Sequence, residues 1–343
     1  MTTPVLRVGF LGAGLIATYH SKMLHIGRAP VVRAGVYDPD RERAEAFAAA
    51  SGHHVVDSED EVIEHCDAVY ICTWTCEHAR LLNKAVAAGK HVFCEKPLAF
   101  TAAEAATMAA AADAAGVTHQ VGLVLRHAPS FLWARELIHD PAAGRVMTVV
   151  FRDDQFIPIQ GHYASTWRAD REKVGAGTLI EHSIHDVDML RFLVGDVATV
   201  SAHTANFHGH DGIEDVATAV LRFQNGATGT LTSVWHDNLA RPSLRRVEVF
   251  CERRHVVIDG NDWFGPVSWT DSDGTTGSLK DDELEAAVSP LRDGASNNPD
   301  LEFVRAALDH RPAAPDLHTA VAAHHLVDAI YASAAADGQS VRL

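Results

Sequence analysis

The chain has 343 residues, 47% hydrophobic and 22% charged, with a formal net charge of −16 at pH 7. Its length exceeds what one hydrophobic core normally fills, so two domains are expected, and with no apolar run near ~18 residues the composition excludes a fibre, extended disorder and a membrane span. The charge disfavours nucleic acid and anionic membranes as partners, yet leaves room for a small anionic ligand held by local groups.

An apolar strand at 5–11 runs through Gly12, Gly14 and Ala17 into a helical pattern. In this G-x-G-x-x-A turn Gly12 permits the sharp bend and Gly14 lets backbone approach a pyrophosphate. Ala17 lets helix and strand pack closely, and the helix N-terminus at Leu15 and Ile16 is left to hold phosphate. A second strand at 31–37 ends in Asp38, 24 residues beyond Gly14 and near the ~20 expected of the acid that binds the adenine ribose. A phosphate-free structural turn is the alternative, but strand, helix, strand and acid fall in order for a dinucleotide. Asp38 would accept ribose hydroxyls and repel a 2′-phosphate, favouring NAD over NADP, with Arg41 and Arg43 as the counter-argument.

The alternation of helix and strand continues to about residue 123, with helices at 41–50, from 58, at 77–89 and from 101, and strands at 54–56, 68–73, 91–95 and 117–123. Ser58 with Glu61 and Thr101 with Glu104 read as capping boxes, and Gly89 and Gly116 as helix stops. This is an α/β, doubly wound parallel sheet over 1–123. Beyond it the texture changes: a helix at 130–139, a strand at 146–151, an irregular stretch, then a strongly helical segment at 178–194. Strands follow at 199–206, 215–223, 228–235, 246–251 and 255–258, with Asn225-Gly226 as a hairpin turn. A mainly antiparallel sheet with helices on one face is expected for the second domain, 124–343, with 272–298 as a polar surface excursion and helices at 301–310 and 317–335. Five cysteines without a C-x-x-C pair, and the start Met1-Thr-Thr-Pro4 without a basic-then-apolar leader, predict reduced thiols in a cytoplasmic protein.

Two places carry chemistry. Lys96 ends the fifth strand, at the edge where open α/β sheets bind ligands, and could donate to a substrate oxygen; a plain surface lysine is the alternative. On a helix from Glu181, the residues Glu181, His185 and Asp188 would form one polar stripe among Ile184, Val187, Leu190 and Val194, looking into a cleft or into solvent. A metal at His182 and His185 lacks a clear third ligand, so none is expected. His208-Gly-His210 reads as a solvated turn.

Taken together, Gly12-Ala-Gly-x-x-Ala-x-x-x-His20, Thr73 with His78, Ala88-Gly-Lys-His-Val-Phe-Cys-Glu-Lys-Pro97, Tyr163 with Trp167-Arg168, and Gly175-x-Gly-x-x-x-Glu-x-x-x-His-x-x-Asp188 resemble the glucose/fructose oxidoreductase and inositol 2-dehydrogenase family (Gfo/Idh/MocA) along nearly the whole chain. The resemblance implies an N-terminal Rossmann domain, a C-terminal α+β domain on a large open sheet that pairs subunits into homodimers or homotetramers, and often a cis peptide before Pro97. It implies hydride transfer between NAD and a secondary alcohol of a sugar, sugar derivative or cyclitol. His185 would be the general acid/base, Lys96 the contact to the hydroxyl and Glu181 the accompanying acid. Cofactor-binding residues would be Gly12, Gly14, Leu15, Ile16, Asp38, Thr73, His78, Glu95 and Lys96; substrate would meet Lys96, Arg126, Trp167, Arg168, Glu181, His185 and Asp188. Two departures stand out: Glu181 where many relatives carry Asp, displacing the carboxylate by one methylene, and Gly-Ala-Gly at 175–177 where three glycines are usual. An NAD-retaining glycosidase-type elimination and a non-catalytic NAD-binding subunit are the alternative functions.

Overall fold

The computed structural model describes residues 4–161, 163–260, 265–292 and 297–343. The chain forms two compact units, Met1–Val124 with Asn298–Val321, and Leu125–Asn297 with Ala322–Leu343. The switch expected near 124 is therefore one of three crossings, because the chain returns to its first unit.

In that unit strands β1 (Leu6–Leu11), β2 (Val31–Tyr37), β3 (His54–Val55), β4 (Ala68–Ile71), β5 (His91–Cys94) and β6 (His119–Val121) alternate with helices α1 (Leu15–Ile26), α2 (Arg41–Ser51), α3 (Glu59–His65), α4 (Thr75–Ala87) and α5 (Ala102–Ala115). The sheet is parallel, in the order β3-β2-β1-β4-β5-β6, which places the start of α1 beside the β1/β4 switch point. Sequence-local signals set the helix ends. Ser58 and Thr101 accept the N–H groups of Glu61 and Glu104, while the two glutamates reach back to Asp57 and Phe100. Gly116 closes α5 in the left-handed region at φ +65°. Strand β4 is apolar and buried at every position, and Phe10, Tyr70 and Phe93 stack across β1, β4 and β5, with Phe303 edge-on to Tyr70 and Phe93.

Between the two runs of this unit the chain builds α6 (Pro129–His139), β7 (Val146–Phe156), α7 (Arg171–Val174), α8 (Thr178–Glu181), α9 (Ile184–Val194), β8 (Val197–Ala205), β9 (Val216–Phe223), β10 (Thr228–His236), β11 (Leu244–Cys251), β12 (Arg254–Gly260), β13 (Val267–Asp271), β14 (Thr276–Leu279) and α10 (Asp281–Val288). Helices α11 (Pro299–Leu308) and α12 (Leu317–Ala335) and strand β15 (Val341–Arg342) complete the fold. The second sheet has nine strands, β14-β13-β12-β11-β7-β10-β9-β8-β15, antiparallel except for the β7/β10 pair. Residues alternate between buried and exposed along β9 and between buried and half-buried along β11, so one face of these strands is covered and the other is more open.

Two expectations are corrected here. The stretch at 272–298 is not a featureless excursion: it holds β14 and α10, whose Leu284 and Val288 are buried, although 293–296 lie outside the described residues. The helical segment at 178–194 is broken at His182-Ser183. Ser183 donates its hydroxyl to Ser233, which also meets Thr178, and this bonding interrupts the helix in spite of a continuous apolar pattern.

Candidate active site

The N-terminal unit carries one half of the candidate residues. Gly12 has φ +90°, and a Cβ there would overlap the Cys72 carbonyl, so the bend admits only glycine. Helix α1 begins at Gly14 without a side-chain cap or an acidic residue in its first turn, and a Cβ on Gly14 would meet nothing within 4 Å. Beside it Leu15 is 68% exposed and Ile16 38%. Unsatisfied N–H groups, open space over a glycine and adjoining apolar surface suit a dinucleotide pyrophosphate, so these residues fit the cofactor that the motif implies. Asp38 is buried and tied to the same loop: its Oδ2 accepts the Ala13 N–H at 2.8 Å and its Oδ1 the Asp40 N–H at 2.9 Å. Arg43 stands 3.7 Å from Asp38 and 3.2 Å from Asp40, while Arg41 is turned to Glu45 and Asp57.

Lys96 is half-buried, its peptide to Pro97 is cis, and its N–H donates to Glu95 Oε2 at 3.0 Å. His78, buried in α4, sets Nδ1 against the Pro97 carbonyl at 2.9 Å and Nε2 against that of Thr73 at 3.3 Å, so Thr73, His78 and the Glu95-Lys96-Pro97 segment are bonded together. Behind them stands a group without an assigned role in the sequence reading. His20 of α1, fully buried, lies 2.8 Å from Glu95 Oε1 and 2.8 Å from Asp300 Oδ1. Its place in the Gly12-to-His20 motif was visible; its partner Asp300, 280 residues away, left no local signal.

The C-terminal unit carries the other half. Glu181 closes α8, while His185 and Asp188 lie three residues apart on α9, so the expected single stripe spans two short helices. All three are buried. Asp188 takes a two-pronged ion pair from Arg126, Nε at 2.8 Å and Nη2 at 2.7 Å. Burial pushes the Asp188 carboxyl up, and Arg126 pulls it back only in part. Glu181 meets Arg168 Nε at 3.3 Å, and the Arg168 guanidinium lies 4.4 Å from the Trp167 ring centre.

The loop before α8 is held from an unexpected quarter. Glu214 accepts the N–H groups of Gly177 and Leu179 at 2.8 and 3.0 Å and the Tyr331 hydroxyl at 2.9 Å. A Cβ at Gly177 would overlap Glu214 backbone, whereas Ala176 between the two glycines is accommodated. Helix α9 is pinned in turn by Arg245 of β11, fully buried between Asp186 (2.9 Å) and Asp153. Burial with Asp153 alongside drives the Asp186 carboxyl well up, while Arg245 and His182, against the cost of burial, hold Asp153 low. His208, expected in a solvated turn, instead pairs with Asp215 at 2.6 Å and Asp237 at 3.2 Å. Among the described residues no group of three or more His, Cys, Asp or Glu could hold a metal ion, and no helix is long and apolar enough to cross a membrane.

Residues 6–123 match an oxidoreductase family with an NAD-binding Rossmann fold (GFO_IDH_MocA), and residues 131–257 match the GFO/IDH/MocA C-terminal domain. The 1,5-anhydro-D-fructose reductase of Ensifer adhaerens is 35% identical over 193 residues, 54% of this chain and 56% of that protein. The inositol 2-dehydrogenase of Rhizobium meliloti (strain 1021) is 31% identical over 236 residues, 66% of this chain and 68% of that one. In fold, a levoglucosan dehydrogenase solved with NADH and levoglucosan superposes with a TM-score of 0.88 over 99% of both chains at 22% identity. The glycine turn, Asp38 and Lys96 fall inside the first matched region and Glu181, His185 and Asp188 inside the second; the chain belongs to the Gfo/Idh/MocA oxidoreductases, and its N-terminal unit is an NAD-binding Rossmann domain.

Proposed function

We propose that this protein is an NAD-dependent dehydrogenase that oxidises, or in reverse forms, a secondary alcohol of an uncharged sugar, sugar derivative or cyclitol. The observation that carries the uncharged class is the pairing of Arg126 with Asp188 and of Arg168 with Glu181. Each of these two cations is already matched by a carboxylate, so the two pairs offer hydrogen-bond donors and acceptors suited to hydroxyl groups more than an uncompensated charge for a uronate or a sugar phosphate. The relatives named for inositol and for anhydrofructose support the same class.

Gly12, Gly14, Leu15 and Ile16 would hold the pyrophosphate end of NAD and Asp38 the adenine ribose, with Thr73, His78, Glu95 and Lys96 along the remainder. Bound NAD supplies the hydride acceptor, carbon 4 of its nicotinamide. His185 takes the hydroxyl proton as the carbon gives up its hydride, so that alcohol becomes carbonyl and one proton is released through the imidazole. Lys96 donates to the same oxygen and stabilises the charge that develops there. Glu181 and Asp188, with their arginines and Trp167, orient the ring. The open face of the nine-stranded sheet would pair subunits into a homodimer or homotetramer of the cytoplasm.

A screen of cyclitols, anhydrosugars, uronates and sugar phosphates with NAD, read at the nicotinamide absorbance, tests the class. Turnover should be confined to uncharged polyols, and His185→Ala or Lys96→Met should lower kcat by roughly 100-fold or more with NADH still bound. Preference for a uronate, or near-normal turnover in either variant, would overturn the reading.

A further inference from the structure

We propose that Glu214 is a positioning residue for the reaction: by accepting the N–H groups at the start of α8 it sets where Glu181, at the other end of that helix, meets the substrate. The inference rests on the substrate role given to Glu181 above.

Helix α8 cannot hold its own shape. It has four residues, Thr178–Glu181, and begins at Gly177 without a side-chain cap. A single turn is too short to persist alone, and its first N–H groups find no acceptor inside the helix. Glu214 serves three of them in succession: Gly177 donates to Oε2 at 2.8 Å, Thr178 to the main-chain carbonyl at 2.9 Å and Leu179 to Oε1 at 3.0 Å. Tyr331 of α12 donates its hydroxyl to Oε1 at 2.9 Å, and its oxygen lies against the main chain of Ile180, next in line. The approach is so close that a Cβ on Gly177 would fall 1.8 Å from the Glu214 carbonyl oxygen. Burial pushes the Glu214 carboxyl up, and the Leu179 and Gly177 N–H groups pull it back in part.

The consequence reaches both members of the Arg168–Glu181 pair. Glu181 donates its N–H to the Gly177 carbonyl at 3.0 Å, so one turn of helix ties it to the residue that Glu214 holds. On the other side Ile213, the neighbour of Glu214, packs with Val174 and Trp235 in the small apolar cluster against which Trp167 rests. Residues 213 and 214 thus gauge the 3.3 Å contact between Arg168 Nε and Glu181 Oε2 from both ends. The other anchor of this segment, Ser233, meets the hydroxyls of Thr178 and Ser183 and leaves the N–H groups to Glu214. Glutamine at 214 keeps the size and loses the function: whichever way its amide is turned, either Gly177 or Leu179 faces an NH2 group and is left without an acceptor.

Hydrogen exchange of the wild-type protein, resolved by fragmentation mass spectrometry, should show the amides of Gly177, Thr178 and Leu179 slowed by roughly 100-fold or more against an unstructured chain. Exchange at the unstructured rate would overturn the proposal without recourse to any variant. On a substrate from the screen, Glu214→Gln should raise KM by roughly 10-fold or more while kcat and the NADH affinity stay within about threefold, since the loss falls on placement of the ring and not on proton or hydride transfer. In a Glu181→Gln background the same change should raise KM by less than about twofold, because the carboxylate it positions is already gone. Equal losses in the two backgrounds would overturn the proposal, since a merely structural role lowers stability and adds independently of Glu181. Glu181→Gln alone separates the two readings: wild-type KM there removes the role of Glu181 itself, whereas a raised KM there beside a wild-type KM in Glu214→Gln removes only the role of Glu214.

Discussion

Stability against pH measures how much the N-terminal unit depends on the charge of His20. In the folded chain burial lowers its pKa, but Asp300 and Glu95 outweigh burial and hold it up at about 10, against an ordinary 6.5. A proton held more tightly in the folded than in the unfolded chain stabilises the fold. That contribution is complete below pH 6.5, shrinks by about 1.4 kcal/mol for each pH unit above it, and is gone once the pH passes about 10. The whole step amounts to roughly 3–5 kcal/mol, counted once for both partners because the same attraction keeps the Glu95 carboxyl low against the cost of its burial. Chemical denaturation of wild type and His20→Gln from about pH 6 to about pH 10, with the difference taken at each pH so that shared groups cancel, should show the gap narrowing by about 1 kcal/mol or more per unit between about pH 7 and about pH 9. A gap that stays level over that interval would refute the reasoning, since it would mean that His20 binds no extra proton on folding.

Three further outcomes are expected. Gly12→Ala should abolish NADH binding in a fluorescence titration, because its Cβ overlaps the Cys72 carbonyl at a backbone angle that alanine rarely adopts; tight binding would show that the turn can move aside. Asp38→Ser should narrow or invert the preference for NADH over NADPH, and equal affinities already present in wild type would remove the role assigned to Asp38. Arg126→Met strands a buried Asp188 and should cost about 3 kcal/mol in denaturation, much of it recovered when Asp188→Asn is added, whereas additive losses would mean that the pair is not coupled.

The Rossmann half was legible because its signals are local: a period that switches between strand and helix, Ser58 and Thr101 at helix starts, Gly116 at a stop, and Asp38 at a fixed distance from a glycine turn. The corrections fall where the deciding contact is remote. The helical period of apolar residues carries across 178–194 without a break signal, and it is the hydroxyl of Ser233, on β10, that draws Ser183 out of helical geometry. Strand β14 and helix α10 were hidden in a polar stretch because β14 is a short edge strand with alternate residues open to solvent, which carries little hydrophobic period. Asp300, Glu214 and Arg245 are charged residues whose neighbours in sequence say nothing of their burial; each acts on a motif that was visible, namely His20, Gly177 and the helix of His185.

The return of Asn298–Val321 to the first unit bears on how the protein is made. A ribosome delivers the glycine turn, Asp38 and Lys96 early, but Asp300 and the Phe303 side chain that joins the same apolar core arrive only after the whole intervening segment Leu125–Asn297 has been translated. Until then the nascent nucleotide-binding sheet has a gap in its core and His20 lacks one of its two counter-charges. A gene cut near codon 124 would reproduce that unfinished state permanently, so the Rossmann half of this chain is not a portable cassette: transplanting it requires a stitched-on copy of the 298–321 segment.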